Sequence, residues 1–445
     1  MKQPLNRYMR ALLEKDPISL HVPGHKNNTI GHLAQLDWAM DMTEITGLDD
    51  LHQPEGVIKE SMQGLSKHED YEAFYLVNGT TSGILAVIQA FANQDGEYLI
   101  ARNAHKSVFH GLEINQASAA LTKMELSDAT HQYVTPQLSE RILSNKKLAV
   151  FTYPNYYGET FDIESTIERC KSSSVPTLID EAHGAHFDLA GFPRSALNYS
   201  ADYVVQSYHK TLPSLTMSSV LFIHKDAPLR HLVRRYLTFY QSSSPSYLLM
   251  TSLEAAHHFY QTYESTMFFK KREKLIQQLK SRGFYIEEVE DPLKLNVSLR
   301  GYTGHEVQRI FEDEEVYCEL ADDQQMLLIL PLWHEGDSFQ FESLLSRIEK
   351  LKVEKRAPLS KRALNVRTQE GRFRPTLIRA SKEVAIEKAE GAILASSIVP
   401  YPPGIPIMFK GEVITSNMLE LLKQWSHSDF RVEGIVNDKI MIKDE

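Results

Sequence analysis

Two side chains far apart in the chain are placed to act together on an aromatic aldehyde. Lys210 stands in Ser207-Tyr208-His209-Lys210-Thr211, directly after an apolar run. Asp180 closes another apolar run, in Leu178-Ile179-Asp180-Glu181-Ala182-His183-Gly184-Ala185-His186. A carboxylate there is costly to bury unless it is paired. A pyridinium N–H is a suitable partner, and a desolvated lysine amine is a nucleophile that forms Schiff bases. Pyridoxal phosphate offers both ends: an aldehyde carbon for Lys210 and a ring nitrogen for Asp180. Ala182 is small enough for the ring to rest on. Asp180, His183 and His186 also suit a metal, although no further acidic or histidine cluster accompanies them.

Other turns fit the same cofactor. Phe74-Tyr75-Leu76-Val77 runs into Asn78-Gly79-Thr80-Thr81-Ser82-Gly83 and then a helical pattern. A strand, a small polar turn and a helix start gather free N–H groups and hydroxyls where the helix dipole is positive, which suits a phosphate. Thr80, Thr81 and Ser82 are its expected donors, joined by Ser207 and His209 beside the lysine. His105, in Asn103-Ala104-His105-Lys106-Ser107, is expected to lie flat over the ring. Tyr153-Pro154-Asn155-Tyr156-Tyr157-Gly158 brings aromatic and hydroxyl groups after the next strand. Each segment alone also reads as a capped turn, a surface histidine, a proline turn or a solvated lysine. Their order is what points to a site, because open α/β sheets bind ligands at the carboxyl ends of their strands.

The positioning elements follow from periodicity. Apolar runs at 74–77, 98–101, 148–153, 177–179, 203–206 and 220–224 alternate with helical stretches such as 84–93 and 164–172. That alternation predicts an α/β region with a largely parallel sheet covered on both faces. Residues 7–14 predict a short amphipathic helix. Residues 247–263 and 267–282 predict a helical hairpin or one bent helix. Strands at 284–290, 293–298 and 326–329, with helices at 304–313 and 339–351, predict a smaller α+β domain. The basic, proline-containing stretch 352–363 reads as a linker. The expected division is an N-terminal segment 1–60, a large cofactor domain 61–250, a small domain 251–355 and a C-terminal domain 364–445.

Composition narrows the function class. At 445 residues, with 42% hydrophobic and 24% charged residues, the chain is an ordinary globular protein of several domains. Its net charge of -10 argues against a nucleic-acid binder, whose footprint would be basic. Two cysteines, Cys170 and Cys318, lack metal spacing and fit a reducing cytoplasm. No window suits a signal peptide or a membrane span.

The chain resembles the Orn/Lys/Arg decarboxylases of the aminotransferase-like fold (fold type I). The matching motifs are His21-Val22-Pro23-Gly24-His25-Lys26, Leu48-Asp49-Asp50-Leu51-His52 and Gly56-Val57-Ile58-Lys59-Glu60. The Asn78 turn, Arg102 to Ser107, Asp180 to His186 and Ser207 to Thr211 follow in family order. Ser243-Ser244-Pro245-Ser246-Tyr247 and Tyr401-Pro402-Pro403-Gly404-Ile405-Pro406 complete the set. The resemblance implies a mostly parallel seven-stranded sheet and a cytoplasmic decarboxylase that uses pyridoxal phosphate and makes a polyamine or its precursor. It implies that Lys210 forms the Schiff base, Asp180 binds the ring nitrogen, His105 stacks, and Thr80, Thr81, Ser82, Ser207 and His209 hold the phosphate. Ala182 and His183 lie in the same cofactor segment. Ser243 and Ser244 are expected to reach the phosphate of a neighbouring copy, giving a homodimer with shared sites. His209 or Lys210 is expected to return a proton to Cα.

Larger family members carry an N-terminal wing domain, whereas the first motif here begins at residue 21, which implies a short form. Several relatives have an acid where Ser396 stands, so the choice among arginine, lysine and ornithine stays open. Glu412 and Glu312-Asp313-Glu314-Glu315 are other candidate partners for a cationic side chain, the run reading more readily as a solvated helix end. Amino transfer and a non-catalytic regulatory copy are the alternative functions.

Overall fold

The computed structural model describes residues 2–359, 368–401, 404–426 and 431–444. The large region forms seven strands of a central sheet: β1 (Tyr71–Leu76), β2 (Glu97–Ile100), β3 (Ala119–Leu121), β4 (Lys146–Thr152), β5 (Thr177–Asp180), β6 (Tyr203–Gln206) and β7 (Ser219–His224). An eighth, β8 (Gly371–Phe373), arrives from the C-terminal part, and the order is β8-β3-β2-β4-β5-β6-β7-β1. Neighbours from β3 to β6 pair in parallel, while β7 is antiparallel to both β6 and β1. The seven-stranded, mostly parallel sheet is therefore present, with one strand added. Pairing with β8 gives the three-residue β3 a partner on its outer side, where an open edge would invite other strands.

The strands are apolar on both faces because both are covered. Along β4, Leu148 and Val150 pack in one core with the helices Gly79–Ala90, Lys106–Ile114 and Arg230–Tyr240. Ala149 and Phe151 face the other core, shared with the helices Ile163–Ser172, Tyr247–Thr262 and Thr266–Ser281. The long pattern after residue 245 is thus two helices, not one bent helix. The first helix after β1 starts at Gly79, five residues before the apolar run suggested, because the small polar turn is already helical.

The smaller antiparallel sheet runs Phe284–Glu287, Lys294–Leu299, Met326–Ile329 and Leu320–Ala321. Its apolar residues continue the second core without a break. The N-terminal strand Ile18–Leu20 pairs in parallel with Val316–Cys318, so the chain start is bound to this unit. Two family motifs have structural work here. Gly24 N–H donates to the His209 carbonyl at 2.8 Å, and a Cβ on Gly24 would meet the Leu212 carbonyl oxygen at 2.4 Å. Asp49 accepts from the N–H groups of Gly56 and Ile58 at 2.8 and 3.0 Å, capping the helix Val57–Gly64. Among the described residues no helix is long and apolar enough to cross a membrane.

The C-terminal part has its own core around Leu394, Ile398, Met408 and Leu422. It is joined to the large region by β8 and by a buried ion pair, Arg102 to Glu412 at 3.0 Å. The Phe409 N–H also donates to Glu412 at 3.1 Å. Removing one member of a buried pair strands the other charge, at a cost of about 3–5 kcal/mol. Glu412→Ala is therefore expected to lose that much stability in urea unfolding. An Arg102→Met, Glu412→Leu double variant should lose clearly less.

Candidate active site

Strands β2, β4, β5 and β6 end on one rim, and a cavity of about 260 Å³ opens there. Thr80, Thr81, His105, Asp180, Ala182, His183, Ser207, His209 and Lys210 all line it. The topology explains the convergence: parallel strands deliver each following turn to the same end of the sheet.

The turn after β1 opens with Gly79 in the left-handed region at φ 73°, and no side chain caps the helix it begins. The Asn78 amide oxygen instead accepts from the Ser242 N–H at 3.1 Å. Thr80 and Ser207 hydroxyls meet at 3.1 Å, which joins the turns after β1 and β6. An uncapped helix start with hydroxyls beside it is an anion site in waiting.

His105 caps the helix Lys106–Ile114, its Nδ1 accepting from the Ser107 N–H at 3.2 Å. An accepting Nδ1 places the proton on Nε2 and leaves the ring neutral. Burial, with Lys210 adding to it, pushes its pKa down to about 3. His209 is the reverse case. Its Nδ1 lies 3.0 Å from the Ser218 carbonyl and so carries the proton, leaving Nε2 with a lone pair. Burial pulls its pKa down to about 4.

Asp180 is buried, accepts from the Ala182 N–H at 3.2 Å, and has its pKa raised by burial against the pull of Lys210. The cavity walls desolvate the Lys210 amine and lower its pKa, while Asp180 and Glu319 oppose that shift. Lys210 Nζ stands 3.1 Å from His183 Nε2. The other ring nitrogen of His183 lies 3.1 Å from Lys294 Nζ, and the Tyr156 ring leans against His183 with centroids 4.3 Å apart. The Tyr156 hydroxyl donates to Glu319, which also accepts from the Val22 N–H at 2.8 Å. Asn103 lines the cavity, and both its amide atoms are buried with no hydrogen-bond partner among the described residues.

Several expected residues lie elsewhere. Ser82 is not on the cavity wall; its hydroxyl donates to the Gly79 carbonyl at 2.8 Å and steadies the helix start. Ser243 and Ser244 are exposed and outside the cavity of their own chain. Glu412 is taken by Arg102 and so is not available to a substrate cation. Ser396 is half-buried and does not line the cavity, whereas Ile405 from the same C-terminal part does. Pro402 and Pro403 of that motif, and residues 360–363 of the expected linker, fall outside the described residues. In the acidic run, Glu315 pairs with Lys15 at 3.1 Å near the end of a helix, as a solvated helix end would. The metal alternative loses its geometry: His183 turns to the two lysines, and His186 pairs with Asp291 at 2.9 Å.

Lys294, Glu319 and Asn103 were not foreseen as site residues. Lys294 carried a signal, a lysine inside the apolar strand pattern Leu293-Lys294-Leu295. Glu319 carried little, since the acidic run just before it drew the same reading.

Buried imidazoles make acid stability predictable. His25, His105, His209 and His257 have pKa values lowered by burial to about 4, 3, 4 and 4. An unfolded imidazole titrates near 6.5, so the unfolded chain takes up protons that the folded one refuses. Their stabilising effect is complete above about pH 6.5 and drains toward pH 4, by up to about 1.4 kcal/mol per pH unit for each ring. Asp180 and Glu181, raised by burial, offset part of this. Urea midpoints measured from pH 7 to 4 are expected to fall steadily; a flat profile would contradict the buried, neutral rings.

Residues 3–283 match the family described as Orn/Lys/Arg decarboxylase, major domain, and residues 361–438 match its C-terminal domain. The uncharacterized Bacillus subtilis (strain 168) protein YaaO is 35% identical over 98% of this chain and 96% of its own length. A Bacillus subtilis (strain 168) arginine decarboxylase is 28% identical over 97% of this chain and 95% of its own. Among solved structures, lysine decarboxylase A from Pseudomonas aeruginosa superposes with a TM-score of 0.72 at 16% identity, covering 91% of this chain and 74% of that one. The likeness in fold, the site at the carboxyl rim and both sequence matches agree: this chain belongs to the Orn/Lys/Arg decarboxylase family and is a carboxy-lyase.

Proposed function

We propose that the chain uses pyridoxal phosphate to decarboxylate arginine, lysine or ornithine to the amine, itself a polyamine or its precursor. The observation that carries this reading is a single cavity holding a desolvated amine, a buried carboxylate, a neutral imidazole and an uncapped helix start. The residues fit the cofactor, and the unpartnered Asn103 amide marks a wall built for a polar ligand. Lys210 would hold the aldehyde carbon, Asp180 the ring nitrogen, His105 and Ala182 the ring faces. Thr80, Thr81, Ser207 and His209 would hold the phosphate, with Ser243 and Ser244 of a neighbouring copy, so the working unit is a homodimer. The Ser82 hydroxyl, donating to the Gly79 carbonyl, supports the helix start.

When bound, the group supplies an electron sink for the carbanion left at Cα by loss of CO₂. The chain decides the rest. Asp180 offers a fixed negative charge where a protonated ring nitrogen needs one. Pro154, Tyr156, Met217 and Ile405 line the cavity and exclude water, which strengthens each charge inside it. Lys210 Nζ is the atom able to return a proton; His209 Nε2, which carries the lone pair while Nδ1–H donates to the Ser218 carbonyl, would first have to take one up. Orientation selects which Cα bond breaks. A cytoplasmic setting suits the free thiols Cys170 and Cys318. Arginine is the first substrate to test, since four of the relatives are named arginine decarboxylases.

The test is a mass-spectrometric search for agmatine, cadaverine and putrescine after incubation with pyridoxal phosphate and each amino acid. One amine is expected. Lys210→Ala should make none and should lose the visible absorbance of bound cofactor. Asp180→Asn removes a charged hydrogen bond of about 1.5–3 kcal/mol, so turnover should fall roughly ten- to a hundred-fold. A keto acid product would overturn the reading in favour of amino transfer. A colourless protein indifferent to the cofactor would favour a non-catalytic role.

A further inference from the structure

Two turns stand side by side at the rim of the sheet. Residues 181–186 follow β5 and carry Ala182 and His183; residues 207–211 follow β6 and carry Ser207 and Lys210. The last backbone bond between them runs from the Glu181 N–H to the Val205 carbonyl at 2.9 Å, and beyond it none joins the two turns among the described residues. Side chains cross the gap instead. Lys210 meets His183 in the cavity at 3.1 Å. Lys67, which does not line the cavity, crosses it from the stretch between the helix Val57–Gly64 and β1. Its amine donates to the Ala185 carbonyl in the first turn and, at 2.9 Å, to the amide oxygen of Gln206, the residue before the second. The same amine stands over the rings of Tyr208 and Tyr260, 4.9 and 3.9 Å from their centroids.

The direction of the Gln206 amide shows how the link is charged. Its oxygen faces Lys67, and its nitrogen donates to the buried Glu181 carboxylate. The Ser195 hydroxyl and the Ala196 N–H donate to the same carboxylate at 2.7 and 2.8 Å. Each of these groups gives Glu181 a hydrogen, which suits an ionised acid. Lys67 is met by carbonyl oxygens and ring faces, which suits an ammonium. Turning the amide round would set its N–H groups against the ammonium and its oxygen against the carboxylate. Burial lowers the Lys67 amine and raises the Glu181 carboxyl, and each charge opposes the other's shift. The amide thus lies between two opposite charges, and hydrogen bonds to charged groups are the stronger kind.

We infer that Lys67 is a positioning residue for the reaction: through the Ala185 carbonyl, Gln206 and the Tyr208 ring it fixes the turn after Asp180 against the turn that carries Ser207 and Lys210. The bridge ends on the residues next to the two that matter, since Glu181 follows Asp180 and Gln206 precedes Ser207. The cofactor proposed above has to be gripped from both turns at once, at its ring nitrogen and at its aldehyde carbon. Holding their separation before binding removes ordering that binding would otherwise require. Lys67 itself touches no reacting atom, and no covalent bond changes in this arrangement. The inference rests on the pyridoxal phosphate reading, but its test does not need turnover.

The test uses the double variant Lys67→Met, Glu181→Gln in the full chain. Both charges go together, so neither is left stranded, and the Gln206 amide is free to turn toward its new neighbour. The urea midpoint without cofactor should stay near the parent value. Hydrogen exchange of the cofactor-free chain, read by mass spectrometry, should quicken about ten-fold in peptides covering 181–186 and 207–211, the worth of one charge-assisted hydrogen bond. Peptides from the C-terminal part should match the parent. Pyridoxal phosphate titrated into the variant, followed by the visible absorbance of bound cofactor, should show a dissociation constant raised about ten-fold. Lys67→Cys alkylated with 2-bromoethylamine regains an amine of lysine length and should return both readings to those of the parent treated alike, which also serves if the double variant does not fold. Unchanged exchange in the two turns, faster exchange with an unchanged dissociation constant, or no recovery on alkylation would each overturn the inference while the decarboxylase reading stands. A parent chain that binds no cofactor would end that reading, and the inference with it, before any variant is made.

Discussion

Desolvation of one amine is the constraint around which the site is arranged. Lys210 sits where water is scarce, so its charge is disfavoured unless neighbours supply compensation. Two unit charges about 4 Å apart near a protein surface interact by about 4 kcal/mol, enough to decide a protonation state. Asp180 and Glu319 pull Lys210 toward the charged form, while burial pushes it away. The same low dielectric keeps His105, His183 and His209 neutral. The cavity is therefore a set of groups whose charges are settled jointly.

Building that balance takes every part of the chain. The large sheet supplies the rim and most of the lining residues. The small sheet inserts Lys294 between the second core and His183, and the neighbouring segment brings Glu319 to Tyr156. The N-terminal motif lies against the lysine segment, where Gly24 contacts His209 and Lys26 donates to the Ile329 carbonyl at 3.0 Å. The C-terminal part adds Ile405 to the cavity and is anchored by β8 and the Arg102–Glu412 pair. A family motif or a candidate substrate partner in the sequence is thus sometimes a fastening. Asp49 caps a helix, and Glu412 neutralises an arginine.

Strands β2, β4, β5 and β6 were legible because each is a buried apolar run ended by a polar turn. The parts that escaped notice did so for physical reasons. Ala119-Ala120-Leu121 is too short to show a period, and β8 is three residues whose pairing depends on a distant edge. Ser82 shares its turn with Thr80 and Thr81, yet helical geometry turns its hydroxyl back to the Gly79 carbonyl. Nothing in a linear pattern separates one small hydroxyl from its neighbours on such a turn.

What the sequence alone determined was the chemistry available at the ends of successive strands: an acid at Asp180, an amine at Lys210, an imidazole at His105 and hydroxyls at Thr80 and Ser207. Local patterns suffice for that, since alternation of strand and helix sends each turn to the same rim. What the tertiary structure decided was the protonation of those groups. Lys294 reaches His183 from 111 residues away, and Glu412 is consumed by an arginine 310 residues earlier. Charge in a protein interior depends on burial and on neighbours through space, and neither is a property of adjacent residues.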